Sequence, residues 1–171
     1  NNGKAIHVLA TADIADLSVY GIGVANNGGG TDGQEYTFPA VSVSAGDHIM
    51  VARTPADMAA YLGATEANIM LANTSISQNG DDAIELYFND AVVETFGDIA
   101  VDGSGEAWEY QDSFAYKVDG AWTYGGVDCT DGSDTSATSS CPYPYTGVYT
   151  TGTAIPVDTF NITFSVNTAN I

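Results

Sequence analysis

Two stretches of this 171-residue chain gather the residue types that a hard cation favours. Asp98, Asp102 and Glu106 are spaced around Gly103 and Gly105, and Asp128, Asp131 and Asp134 around Gly132, so each offers several carboxylate oxygens on a flexible backbone. Neither follows the EF-hand pattern, but Ca²⁺ is the ion such loops are expected to hold. Cys129 and Cys141 fall in the same Ser/Thr/Asp/Gly-rich region, where a thiol has little to pack against. A disulfide between them would stabilise the fold by about 3 kcal/mol on the chain-entropy model and points to an oxidising compartment. The alternative, a zinc site, lacks the Cys-x-x-Cys or paired-His spacing that zinc requires. The two histidines, His7 and His48, each sit inside a β-like run and read as strand residues rather than catalytic bases, since no nucleophile motif accompanies them. A Gly-x-Ser-x-Gly elbow, a phosphate-binding Gly-x-x-x-x-Gly-Lys loop and a His-Glu-x-x-His helix are all missing. Carboxylate pairs such as Asp81/Asp82 are too common in a chain with 22 acidic residues to single out glycosidase chemistry. The expectation is a protein without catalytic function.

Charge narrows the partners further. Three basic residues, Lys4, Arg53 and Lys117, oppose the 22 acidic ones, for a formal net charge of −19. A polyphosphate backbone would be repelled, so direct nucleic-acid binding is not expected, and an anionic membrane surface is disfavoured for the same reason. No apolar run approaches the roughly 18 residues of a membrane span. Such acidity fits either solubility in a salty medium or divalent-cation binding. The chain opens at Asn1 with neither Met nor a signal segment, as expected of a processed form or an excised fragment.

These residues need a frame, and the frame reads as β. Short apolar runs recur at 5–10, 18–24, 35–38, 48–52, 69–71, 83–88, 91–96 and 113–118, punctuated by Gly, Asn and Asp, which favours a sandwich or barrel. Asn89-Asp90 between two of the runs tolerates the left-handed backbone of a two-residue hairpin turn. One helix is expected after Thr54 as cap, with Pro55 in the first turn, Asp57 at the positive end and Gly63 closing it. Tyrosine, at ten residues, reads mainly as a strand former, although those near Pro142 could stack on sugar rings. After Pro156 comes the cleanest alternation in the chain. Phe160, Ile162, Phe164 and Val166 share one face of a strand while Asn161, Thr163, Ser165 and Asn167 share the other, and such a strand needs an apolar groove.

The order of parts resembles the lamin-tail domain in its bacterial secreted form. Lys4-Ala5-Ile6-His7-Val8, Asp16-Leu17-Ser18, Ala45-Gly46-Asp47, and then Asp82-Ala83-Ile84-Glu85-Leu86-Tyr87 leading through the hairpin to Phe96-Gly97-Asp98 and to Trp108-Glu109-Tyr110 carry the likeness, over roughly residues 3 to 149. The resemblance implies an all-β, immunoglobulin-like β-sandwich over residues 1–150 with one short helix, and a non-catalytic module. Two departures stand out. The strand of Ile-Ser-Glu type that usually opens the family is not found before Lys4, and residues 151–171 add a linker and a spare C-terminal strand foreign to the domain. One strand is missing and one is spare. The expected function is therefore a secreted or cell-surface structural or adhesive module of a bacterium, assembling with copies of itself into a filament by strand donation, with Ca²⁺ support. The alternative is an accessory targeting domain of a larger secreted nuclease or phosphatase.

Overall fold

The computed structural model describes residues 3–156. The last strand expected from the sequence, with Phe160, Ile162, Phe164 and Val166, lies outside the described residues.

Strands follow the apolar runs closely: β1 is Ala5–Leu9, β2 Tyr20–Ala25, β3 Tyr36–Thr37, β4 Val41–Ser42, β5 His48–Ala52, β6 Ile69–Leu71, β7 Ala83–Phe88, β8 Ala91–Phe96, β9 Ala115–Val118, β10 Ala121–Tyr124 and β11 Thr153–Ala154. The β7–β8 hairpin turns where expected, with Asn89 and Asp90 both at positive φ, 48° and 63°. The single α-helix among the described residues, α1, is Pro55–Leu62 and ends on Gly63 in the left-handed conformation that glycine adopts without cost. Thr54 precedes it, but its side chain makes no capping hydrogen bond. Asp119 and Gly120, both at positive φ, turn β9 back into β10, a strand with no counterpart among the runs read from the sequence. β11 pairs antiparallel with β4.

The main strands form two sheets, β1-β5-β6 and β3-β2-β7-β8, in an all-β, sandwich-like arrangement. Alternation along β5 shows how the layers stack. Ile49 and Val51 join Ile6, Val8, Ile22, Phe38, Ile76 and Ile84 in the core between the sheets, while Met50 and Ala52 face Met58 and Ala59 of α1 and the ring of Tyr149. The β1-β5-β6 sheet is therefore covered on both faces. Two buried carboxylates tie the loops to this body. Asp82, 1% exposed, accepts the backbone N–H groups of Asn27 and Asn79, both at 2.9 Å, and Glu85 accepts the Tyr87 hydroxyl. The Gly-rich loop reaches in the same direction: a Cβ on Gly28 would meet the Asp102 backbone nitrogen at 2.6 Å, so only glycine lets these loops touch.

Candidate functional site

The open edge of β1 is the centre of the site. The Arg53 N–H reaches the Lys4 carbonyl and the Ala10 N–H reaches the Asp47 carbonyl, so the even-numbered residues of this segment direct their backbone groups at β5. Ala5, His7 and Leu9 direct theirs away from it. Among the described residues only the Ala5 carbonyl has a partner on that side, the Gln78 side-chain amide at 3.2 Å. Beside this edge runs a cavity of about 370 Å³ lined by the consecutive residues Gly3 to His7, which marks it as a groove along the strand.

Its floor and far wall are apolar and come from distant parts of the chain. Ile84 of β7 and Phe96 at the end of β8 form the floor, and Phe114 and Trp122 the opposite wall. Phe96 links this floor to the wall, in edge-to-face contact with Trp122 at 4.7 Å, and also meets Tyr110 at 5.3 Å and Trp108 at 5.9 Å between ring centroids. Trp108 owes its seat to Gly103, where a Cβ would lie 2.5 Å from the indole. Burial and the nearby Asp82 and Asp81 drive the Tyr110 hydroxyl pKa far upward, so it stays protonated and donates to the Asp82 carbonyl at 2.9 Å.

At the His7 end the groove meets a cluster of five rings. His7 and His48 are diagonal neighbours on one face of the β1–β5 ladder, and His7 Nε2 lies 2.8 Å from His48 Nδ1. Tyr143 places its hydroxyl 2.9 Å from His7 Nδ1, Tyr145 stacks on His48 with centroids 3.9 Å apart, and Tyr149 meets His7 edge-on. Burial, with a smaller contribution from His48, lowers the His7 pKa to about 4. His48 is lowered too, by burial against the opposing pull of Asp47. Burial also pushes the Tyr143 hydroxyl up to about 12, and Tyr149 is raised by burial and by the two neighbouring tyrosines, with its hydroxyl buried and unpartnered among the described residues. The cluster holds the Pro-Tyr-rich segment 142–149 against the sheet as a strap. Both histidines stood in recognisable strands, but their meeting depends on the antiparallel register, which has no local signal.

The acidic loops are organised differently. Asp98 accepts the Ala100 N–H at 2.9 Å and Asp102 the Ser104 N–H at 3.0 Å, the latter contact holding an exposed carboxyl below its usual pKa. Asp128 takes a left-handed backbone, and its carbonyl accepts the Asp131 N–H. Glu106, Asp131 and Asp134 are placed on these same turns, and among the described residues no three His, Cys, Asp or Glu side chains come together to hold a metal ion. Cys129 and Cys141 are disulfide-bonded with Cα atoms 5.7 Å apart, and the bridge anchors the loop that leads into the strap. A disulfide of this kind fits an oxidising compartment. No helix among the described residues is long and apolar enough to cross a membrane.

The last pairings of the described body lie at the Leu9–His48 end of the β1–β5 ladder. The Thr150 N–H reaches the His48 carbonyl, Tyr149 bridges His48 in parallel, and Thr153–Ala154 is paired with β4, past the Leu9–His48 end of the ladder. Only residues 155–159 separate these pairings from Phe160, a reach of about 17 Å at full extension. Compared with family models, with curated proteins and with solved structures, the chain gives no match.

Proposed function

We propose that this protein is a non-catalytic structural module of the secreted or cell-surface kind, a lamin-tail-like sandwich that assembles with copies of itself by strand donation. The observation that carries this reading is the groove along β1. A strand edge with outward backbone groups at Ala5 and His7, lining a groove with Ile84, Phe96, Phe114 and Trp122, and with Leu9 continuing the open edge beyond it, is suited to receive one more strand. The occupant is residues 157–171 of a second copy, whose alternating Phe160, Ile162, Phe164 and Val166 supply one apolar face for the floor and one polar face for solvent. Main-chain hydrogen bonds would give the affinity and the apolar side chains the register.

A linker of about 17 Å reaches β1 of the same chain and of a neighbour alike, so length does not choose the donor; assembly of the full chain does. The disulfide supports an extracellular setting.

Phe160→Asp/Phe164→Asp in the full chain tests the reading. Electron microscopy and sedimentation should show assembled wild-type protein and a folded, monomeric variant, and an added peptide of residues 157–171 should cap wild-type growth. Wild-type protein that remains monomeric, or a double variant that assembles as well as wild type, would overturn it.

A further inference from the structure

We propose that the His7–His48 pair is a proton-operated latch on the groove, holding the Tyr143 wall in place while neutral and releasing it, together with the docked strand, when both rings carry a second proton. The inference rests on the strand-docking reading for its consequence, but the latch itself stands on the geometry of the five rings. His7 and Tyr143 both line the groove, so what happens between them changes its shape.

One set of hydrogens satisfies every contact in the neutral state. Tyr143 O–H donates to His7 Nδ1, His7 Nε2–H donates to His48 Nδ1, and the remaining His48 nitrogen keeps its own hydrogen. A first proton can be absorbed by reversing this relay: His48 Nδ1–H donates to His7 Nε2, and His7 Nδ1–H donates to the Tyr143 oxygen. A second proton cannot. Both facing nitrogens, 2.8 Å apart, would then carry hydrogens, and two imidazolium charges would sit side by side among aromatic rings.

The surroundings offer little relief. The strap contributes Tyr143, Tyr145 and Tyr149, hydroxyls whose pKa burial raises and which stay neutral in acid. The end of β5 contributes Asp47, which acts on His48. α1 and β6 pack Met58, Ala59 and Ile69 into the same cluster and bring no charge. The lowered pKa of His7 is what such a site produces, and it places the second protonation near pH 4. Once the rings separate, the Tyr143 hydroxyl loses its hydrogen bond to His7, and the strap is held by the Cys129–Cys141 bridge before it, by the Phe114 ring against Tyr143 at 5.1 Å, by the Tyr143 N–H on Ser136 Oγ and by the Thr150 N–H on the His48 carbonyl.

The test uses the full chain, followed by NMR from about pH 7 to about pH 3.5, with assembled protein examined in parallel at fixed ionic strength. The Tyr143 ring signals should move with the same midpoint as the His7 imidazole, well below an ordinary histidine, and both responses should vanish in His7→Gln, whose amide can still reach His48. Subunit release from assembled wild type should be about tenfold faster at the acid end, and nearly unchanged in His7→Gln. If His7→Gln fails to fold, His48→Asn, which keeps an amide near the position of Nδ1, replaces it. Tyr143 signals that ignore the His7 titration, or equal acceleration in wild type and variant, would overturn the latch. A wild-type protein that never assembles removes the strand-docking reading, and the latch is then decided by the NMR titration alone.

Discussion

Two of the four edge strands of the main sheets, β8 and β1, are finished in opposite ways. β8, at the rim of the four-stranded sheet, carries Glu94 in an ion pair with Lys117 of β9, and its pairing with β7 is broken by a register shift between Leu86 and Tyr87. Charge and a bulge on an edge strand are the usual defences against pairing with another chain, and they act here even though Val93 is 55% exposed. β1 has neither defence along the groove. Its outward backbone groups run beside Ile84, Phe96, Phe114 and Trp122, and of the two charged residues that line the groove, Lys4 and Asp112, the Lys4 ammonium is turned onto the Ser77 carbonyl at 2.6 Å, with its pKa lowered by burial and by Arg53. One edge is guarded and the other is presented, which is the contrast that the strand-docking proposal uses.

Four changes break or sharpen that contrast. The largest effect is expected from Phe96→Ala, which removes the buried ring where the β8 end and the groove floor coincide. A loss of about 3 to 5 kcal/mol should appear in urea denaturation, together with loss of assembly. A loss under about 1 kcal/mol would mean that the aromatic wall does not depend on this ring.

Acid should act on the presented edge through His7. Its folded pKa of about 4 lies below the ordinary 6.5, so the unfolded chain binds more protons between these values. Its contribution is fully present above about pH 6.5, declines as the pH falls, and levels off below about pH 4. The decline amounts to about 2 to 3 kcal/mol, and His7→Gln should flatten that part of the stability profile. Identical profiles for wild type and variant would assign the acid response to the carboxylates instead.

Removing the guard should cost little. Glu94→Ala or Lys117→Ala breaks a half-exposed pair, worth at most about 1 kcal/mol, and Lys117 also lies 4.9 Å above the Trp122 ring. Thermal unfolding should barely change, while light scattering should report slow, irregular association through β8. A drop above about 2 kcal/mol would show that the pair holds the β9–β10 hairpin rather than guarding an edge.

The smallest effect concerns calcium at Asp98, Asp102, Glu106, Asp128, Asp131 and Asp134. With these carboxylates spread over separate turns, EGTA at fixed ionic strength should move the melting midpoint by less than about 1 °C. A larger shift would assign an ion to one of the two loops.

The elements of this protein were legible because they are local. Apolar alternation placed β5, β6, β7 and β8 at their observed limits, and Pro55 and Gly63 bracketed α1, since each signal lies within a few residues of the structure it specifies. The cysteine pair was legible because twelve positions of polar loop leave two thiols with each other as the natural partners. The acidic turns show the same locality: in a short Gly-containing turn a carboxylate finds a backbone N–H two residues on, as Asp98 and Asp102 do. What only the tertiary structure decided is the groove and the ring cluster beside it. His7, His48 and Tyr143 lie 41 and 136 residues apart along their contacts, and Phe96 meets Trp122 only because the β9–β10 hairpin folds back over β8. No periodicity encodes such meetings. They follow from register and layer packing, which the chain settles only when the whole core closes.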